Sequence, residues 1–155
     1  MPDKPVHEND VQRLGARLHE LMGVINQRTT GETLELMHEQ QLTLPMMVAL
    51  YQLQFSGPTP LSTLGQCLRL SSSAASSMVD RLVERGLVSR REDPEDRRQK
   101  LIGVTATGTE LVGRMAAARA REMEVAFSGV PPELRTRLIQ VFEEVIAQLR
   151  AGESS

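Results

Sequence analysis

The spacing of apolar residues predicts a mainly helical chain. From Val11 to Ile25 they recur every three or four positions, in a stripe narrow enough to be a packing seam between long helices. Similar spacing predicts a short helix in ETLELMHEQ and a longer one after Thr43, which fits an N-cap. Two more helices are predicted towards the C-terminus, one ending at about Phe127 and one presenting apolar residues as far as Leu149.

Two helices in the middle of the chain are predicted to form a helix-turn-helix. The first is LSTLGQCLRL, with Pro60 in its first turn and Thr59 as its cap. The second opens at SSSAASS with Ser71 as N-cap, and Gly86 is placed to end it in a left-handed conformation. Its core stripe has the spacing i, i+3, i+4, i+7 and consists of Ala75, Met78, Val79 and Leu82. Because very few residues separate the two helices, they are expected to pack as a helix-turn-helix.

A β-hairpin is predicted directly after this pair. LVSRR and KLIGV read as two short strands, and EDPEDRRQ forms the tip between them, where a proline and dense charge cost little. The next helix begins at a capping box formed by Thr107 and Glu110, or at Thr105 as an alternative cap. The predicted fold class is therefore mainly α with a small β-hairpin.

Composition limits the classes of protein that this chain can be. Its 155 residues are most simply one domain, and a net charge of −2 argues against a general polyanion binder. Between Leu61 and Ile102, however, eight Lys and Arg face six Asp and Glu, a local charge of +2. The single cysteine, Cys67, excludes an internal disulfide, and its apolar neighbours predict a buried thiol. Since neither a signal peptide nor a membrane span is visible, a cytoplasmic protein is expected.

The sequence offers no arrangement for catalysis. The histidines are scattered at His7, His19 and His38, and neither a phosphate-binding loop nor a nucleophile elbow is present. The lone cysteine and the dispersed histidines do not supply ligand spacing for a metal. The expectation is a protein without enzymatic activity, without a metal and without a cofactor.

The helix that opens with serines has the chemistry of a DNA-reading helix. Small side chains at its start allow close approach, hydroxyl groups bond base edges or phosphates, and the methyl of Ala74 fits against the methyl of thymine. The face opposite the core stripe is predicted to carry Ser72, Ser73, Ser76, Ser77, Asp80 and Arg81, with Ser71 at the N-terminus. The alternative for any single serine is that it simply caps the helix. Four serines on one exposed face favour DNA binding.

The hairpin tip supplies a second predicted contact. Arg97 and Arg98 lie at its far end, with Lys100 following, and an arginine on a hairpin can enter a narrow minor groove. Asp96 is predicted to orient the tip, by accepting hydrogen bonds from loop amides or by pairing with Arg81, Arg85 or Arg91. The alternative is a solvated loop with offsetting charges.

These motifs together resemble the MarR family, the multiple-antibiotic-resistance type of bacterial transcriptional regulators. The resemblance is densest from Leu42 to about Leu111. It includes the helix-turn-helix segment, the hairpin sequence DPEDRR and the VTATG before the next helix. Its most specific element is the pattern D-x-R at Asp96 to Arg98, which follows a GLV-x-R segment.

The resemblance implies a winged helix-turn-helix homodimer in which the terminal helices form the dimerisation region. Residues 1–155 would be one such domain, with dimerisation helices at about 8–40 and 107–150 and the DNA-binding region at about 43–105. It implies the helix from Ser71 in the major groove and Arg98 in the minor groove. It further implies repression of nearby genes, relieved by a small, often aromatic or phenolic, ligand, in a bacterial cytoplasmic protein that joins the nucleoid when bound.

Two departures from the family pattern qualify this expectation. Ser77 stands where many members carry a basic residue, which predicts weaker base readout, and Gly65 replaces a usual alanine, which predicts a looser first helix. Ser77 and the acidic hairpin also support an alternative, a winged-helix protein-interaction module that has lost DNA binding. The leading prediction is a dimeric, sequence-specific regulator of double-stranded DNA with a pseudo-palindromic site.

Overall fold

The structure is a computed structural model that describes residues 6–28, 31–94 and 99–152. The described residues form seven helices and one three-stranded sheet. In chain order they are α1 (Val6–Arg28), α2 (Glu32–Glu39), α3 (Leu44–Ser56), β1 (Thr59–Pro60), α4 (Leu61–Cys67), α5 (Ser72–Glu84), β2 (Val88–Glu92), β3 (Lys100–Val104), α6 (Ala106–Phe127) and α7 (Pro132–Gly152). The predicted class, mainly α with a small hairpin, is confirmed.

The chain divides into two compact units. One consists of residues 31–120 and the other of residues 1–30 together with 121–155. The first unit contains the helix-turn-helix, formed by α4 and α5, and the hairpin, formed by β2 and β3. Its largest fully buried side chains come from five different elements: Met46, Leu50, Leu53, Leu64, Val79, Leu82, Ile102 and Met115.

The sheet has one strand more than the sequence predicted. Its order is β1-β3-β2, and both pairings are antiparallel. Thr59 pairs with Ile102 and Pro60 with Leu101, so these two residues belong to an edge strand rather than to the first turn of α4. An edge strand tolerates proline because a missing N–H there need not break the ladder. Thr59 donates its hydroxyl hydrogen to the Gly57 carbonyl oxygen at 3.0 Å and does not cap α4.

Three helices of this unit end in the same backbone motif. After α2, α4 and α5, a residue with positive φ is followed by a leucine whose N–H bonds back five residues, the pattern of a Schellman cap. The left-handed residues are Gln41, Arg69 and Gly86, with φ of 47°, 53° and 67°. The prediction for Gly86 is therefore confirmed.

Thr105, the alternative cap, is the residue that caps α6, whose first helical residue is Ala106. Its Oγ1 accepts a hydrogen bond from the Gly108 N–H at 3.1 Å and donates to the Gly86 carbonyl oxygen at 2.6 Å. A Cβ on Gly108 would collide with the carbonyl oxygen of Leu87, so this close approach requires glycine. The expected capping box at Thr107 is thus wrong, because the first turn of α6 is fixed by its contact with the end of α5.

Two expectations about α4 are also corrected. Cys67 is exposed rather than buried, because it lies on the outer side of the last turn of α4. Gly65 is buried, and a Cβ there would lie 3.1 Å from the Cβ of Ala75. The glycine therefore lets α4 and α5 approach closely, which is the opposite of the loosening predicted from the sequence.

The second unit consists of long helices with exposed apolar residues. α7 is described throughout and contains no buried residue. Its exposed apolar side chains include Leu134, Ile139, Val141, Phe142, Val145, Ile146 and Leu149. In α1 the exposed apolar set is Val11, Leu14, Leu18, Met22 and Val24, whereas Ile25 is buried. In the part of the chain that the structure describes, no helix is both long and apolar enough to cross a membrane.

Candidate DNA interface

The N-terminus of α5 is fixed by its own serines. Ser71 is the N-cap, with extended φ and ψ, and its Oγ accepts a hydrogen bond from the Ala74 N–H at 3.3 Å. The hydroxyl of Ser73 lies 3.2 Å from that of Ser71. For Ser71, therefore, the capping role is present, and its exposed hydroxyl has one position left for another partner.

α5 has a buried apolar stripe and an exposed face that is mostly polar. The buried stripe is Ala75, Met78, Val79 and Leu82, as the spacing predicted. The exposed residues include Ser72, Ser73, Ala74, Ser77, Asp80 and Arg81. Ser76 departs from the prediction, since it is half-buried beside the core stripe rather than fully exposed. The first two turns of α5 consequently present a surface of small side chains and hydroxyl groups to solvent.

Asp80 forms an ion pair within the unit of residues 31–120. Its Oδ1 lies 2.9 Å from Nη2 of Arg90, so an ion pair joins the middle of α5 to strand β2. The pair is partly exposed, and its contribution to folding is correspondingly small. Its geometric effect is to hold the hairpin beside α5. The other two charged residues of α5, Arg81 and Glu84, are exposed and form no ion pair among the described residues.

Arg85, proposed above as a partner of Asp96, is directed towards the end of α2. Its Nη1 donates to the carbonyl oxygens of Gln40 at 2.8 Å and Gln41 at 2.7 Å. Its Nη2 donates to the side-chain oxygen of Gln41 at 3.3 Å. A cation at the C-terminus of a helix satisfies free carbonyl groups and interacts favourably with the helix dipole. Arg85 thereby anchors the C-terminal end of α5 to the corner between α2 and α3.

The hairpin is described up to the base of its tip. Asp93 donates its N–H to the carbonyl oxygen of Gln99 at 3.2 Å, which extends the ladder beyond β2 and β3. Lys100, a predicted DNA contact, forms an exposed ion pair with Glu92, with Nζ and Oε1 2.9 Å apart. The remaining predicted tip residues, Asp96, Arg97 and Arg98, lie outside the described residues.

Arg69 is a residue that the sequence analysis did not single out. It is exposed and lies in the turn between α4 and α5. The available signal was its isolation, because Arg69 is the single charged residue in the stretch from Gln40 to Val79. Its left-handed conformation could not be read from the sequence, since glycine or asparagine is the usual residue at such a position.

A metal site and a cleft are the alternatives to a DNA interface that the described residues can be tested for. No group of three or more His, Cys, Asp or Glu within them is placed to hold a metal ion. An open cleft of about 380 Å³ does lie beside the start of α5. Its lining combines apolar residues of α4 and the turn with polar groups, and includes Pro60, Leu61, Leu70, Ser72 and Lys100. This cleft shares Ser72 and Lys100 with the candidate DNA interface.

Comparison with known proteins gives the family. The sequence profile of the MarR family matches residues 42–100, which span α3 to the start of β3. YhbI of Bacillus subtilis (strain 168), an uncharacterized HTH-type transcriptional regulator, is 30% identical over 108 residues, covering 70% of this chain and 68% of the relative.

Solved structures share the fold. The transcriptional regulator Tm0710 from Thermotoga maritima superposes with a TM-score of 0.77 at 22% identity, over 93% of this chain and 99% of that one. A mutant of MepR from S. aureus, bound to an oligodeoxyribonucleotide, superposes with a TM-score of 0.59 at 16% identity, over 94% and 99% of the two chains. The chain belongs to the MarR family of winged-helix, DNA-binding transcriptional regulators, and it is not an enzyme.

Proposed function

We propose that α5 enters the major groove of double-stranded DNA with its serine-bearing face. The observation that carries this proposal is the division of α5 into two faces: it buries the stripe Ala75, Met78, Val79 and Leu82 and exposes small side chains at its N-terminal end. Ser72, Ser73 and Ser77 supply hydroxyl groups for base edges or phosphates, and Ala74 supplies a methyl group. Half-buried Ser76 is then at the margin of the interface rather than at its centre.

The hairpin is proposed as the wing that contacts the adjacent minor groove. Arg98, with Arg97, would enter the groove, and Asp96 would orient the tip. The ion pair between Asp80 and Arg90 supports this role, because it fixes β2 beside α5 and thus fixes the origin of the tip. Lys100 would exchange its exposed partner Glu92 for phosphate, at small cost because such surface pairs are weak.

A second copy of the chain is proposed as the partner of the terminal helices. The apolar residues of α1 and α7 are exposed in the single chain, and a homodimer would bury them. The dimerisation region would then comprise about residues 8–40 and 107–150, and the DNA-binding region about residues 43–105. Two recognition helices related by a twofold axis would read a pseudo-palindromic operator.

Repression, relieved by a small aromatic or phenolic ligand, is the regulatory part of the proposal. The cleft beside α5 supports it, because its apolar wall suits a ring and Ser72 and Lys100 suit a hydroxyl or carboxylate. A ligand held there would occupy two residues of the proposed DNA interface and so compete with the operator. Titrating phenols and aromatic acids into the protein–DNA complex tests this proposal. If none of them dissociates the protein from the DNA, the proposal is contradicted.

The experiment that tests DNA binding is a mobility shift on the DNA flanking the protein's own gene, across a series of salt concentrations. Wild-type protein is expected to bind and to weaken as salt rises, because phosphate contacts dominate affinity. Arg98→Ala is expected to weaken binding by about 1–3 kcal/mol. Arg150→Ala, which removes the same charge from the end of α7, is the matched control and should bind like wild type.

The alternative is a protein-interaction module that has lost DNA binding. It is favoured by the ion pairs that engage Arg90 with Asp80 and Lys100 with Glu92, since these leave fewer cations for phosphate. A wild-type protein that shifts no genomic fragment at low salt, and an Arg98→Ala variant that still captures a protein partner, would establish this alternative.

A further inference from the structure

Arg69 occupies a backbone conformation that does not suit its side chain. In the Schellman cap of α4, the Arg69 N–H donates to the Gln66 carbonyl oxygen at 3.0 Å and the Leu70 N–H to that of Gly65 at 2.9 Å. These bonds hold Arg69 at φ 53°. A side chain at such a φ crowds its own backbone, whereas glycine, found as Gly86 in the same motif after α5, carries no such penalty.

Among the residues that the structure describes, Gln41 is the other non-glycine residue in this conformation, and contacts with its surroundings compensate its strain. Arg85 donates to the Gln41 carbonyl oxygen at 2.7 Å and to its side-chain oxygen at 3.3 Å. Arg69 has no comparable support, because its exposed guanidinium makes no hydrogen bond or ion pair with the described residues. Strain that no described residue compensates points to an external partner.

The position of Arg69 indicates which partner. Leu68 and Leu70 on either side pack against the core, so the Arg69 side chain leaves the turn on the solvent side. Ser71, the N-cap of α5, follows two residues later, which places Arg69 within about 7 Å of the N-terminus of the recognition helix.

The charge of the surrounding segment adds an independent argument. Arg69 is the single charged residue between Gln40 and Val79, so the whole of α3, α4 and the first two turns of α5 offer no other cation. A helix that reads bases through uncharged hydroxyl groups needs phosphate contacts nearby to fix its register. Arginine suits that contact, because its planar guanidinium donates two parallel hydrogen bonds to a phosphate.

We propose that Arg69 binds a backbone phosphate of the DNA duplex whose major groove α5 reads. This inference rests on the proposed function and adds to it a positioning contact at the turn, separate from the wing. The two backbone bonds of the Schellman cap hold the residue in place before DNA arrives, which lowers the entropy lost on binding.

The test compares Arg69→Gly and Arg69→Lys with wild type, on a duplex that wild type binds and on an unrelated duplex. Arg69→Gly is expected to lower affinity roughly tenfold at low salt on both duplexes, and to reduce the slope of log affinity against log salt by about 1 per bound chain. Its thermal unfolding temperature without DNA is expected to rise, because glycine relieves the left-handed strain. Arg69→Lys keeps the charge and should retain the wild-type salt slope.

Gln41→Gly is the matched control, since it places glycine at another left-handed position and removes no charge. It should leave the salt slope unchanged. An Arg69→Gly variant with wild-type affinity and slope would overturn the inference, and so would one that loses affinity and thermal stability together. A wild-type protein that binds no duplex at low salt would contradict the proposed function itself, and this inference with it.

Discussion

Helices α5 and α7 have similar amphipathic sequences and opposite exposed surfaces. α5 buries Ala75, Met78, Val79 and Leu82 within its own unit and leaves serines in solvent. α7 buries nothing in the single chain, and Leu149, for example, remains 67% exposed. The core stripe of α5 is therefore buried within the single chain, whereas the apolar face of α7 is left exposed.

This difference separates the partners that the two helices can have. Water competes well for the hydroxyl groups of α5, so a partner there must offer polar groups and charge, as DNA does. The apolar side chains of α7 have a higher free energy exposed to water than buried, so a partner there must be apolar, as a second copy of α7 is. Binding by each of the two surfaces can then be disrupted by a separate substitution.

The largest effect is expected from a charge placed on α7. Val145→Asp would bury an unpaired carboxylate in the proposed homodimer, once from each chain. Such a group costs several kcal/mol, so we expect the dimer dissociation constant to rise by about 100-fold or more. Analytical ultracentrifugation measures this, with circular dichroism to confirm that the helices remain.

Gln140→Asp is the control for that variant, because it adds the same charge to the polar side of α7. It should leave the dimer intact. A Val145→Asp protein that remains fully dimeric would show that the α7 face does not pair copies of the chain, and the comparison between the two helices would fail.

A smaller effect is expected from a charge placed on α5. Ser72 is the first residue of the helix, so Ser72→Asp should slightly stabilise α5 through the helix dipole while its carboxylate repels phosphate. We expect DNA affinity to fall by roughly tenfold or more and thermal stability to stay equal or rise. Fluorescence anisotropy with a labelled duplex and thermal unfolding measure the two quantities.

Ser72→Asn separates charge from shape in this experiment. The asparagine side chain is nearly the same size as aspartate but neutral, and we expect this variant to lose much less affinity for DNA. Equal binding by Ser72→Asp and wild type would remove the N-terminal turn of α5 from the interface.

The smallest effect concerns the α3 helix, which belongs to neither surface. Partial burial raises the pKa of the Tyr51 phenol above its ordinary value of 10.0, and its ring stacks on Phe55 with centroids 6.4 Å apart. The unfolded chain releases this proton at about pH 10 and the folded chain holds it longer. Stability should therefore fall as the pH rises from about 10 through the raised pKa.

Tyr51 is the single tyrosine of the chain, so its ionisation can be followed directly by ultraviolet absorbance. Denaturant unfolding at pH values on both sides of 10 measures the loss of stability. Tyr51→Phe should abolish this part of the pH dependence, and an unchanged pH dependence in that variant would assign it to other groups.

The sequence predicted what local periodicity determines. The buried stripe of α5 follows from its 3.6-residue repeat, and the end of that helix follows from Gly86. The two hairpin strands were also predicted, because their apolar residues are short runs bounded by turn residues.

Features that depend on distant contacts were not predictable in this way. Strand β1 is two residues long and exists because Thr59 and Pro60 pair with β3, about forty residues later. The cap of α6 is decided by the contact of Thr105 with Gly86 and Leu87. In the same way, the half-burial of Ser76 depends on neighbours that the helical pattern does not reveal.

The decisive experiment changes the spacing between two operator half-sites. If α7 pairs two copies and each α5 reads one half-site, the recognition helices face the same side of the duplex about one helical turn apart. Inserting half a turn of DNA rotates one half-site away. Affinity is then expected to fall to that of a duplex with a single half-site, and a full-turn insertion is expected to restore part of it. Affinity independent of the insertion would contradict the claim that one helix joins the copies while the other reads DNA.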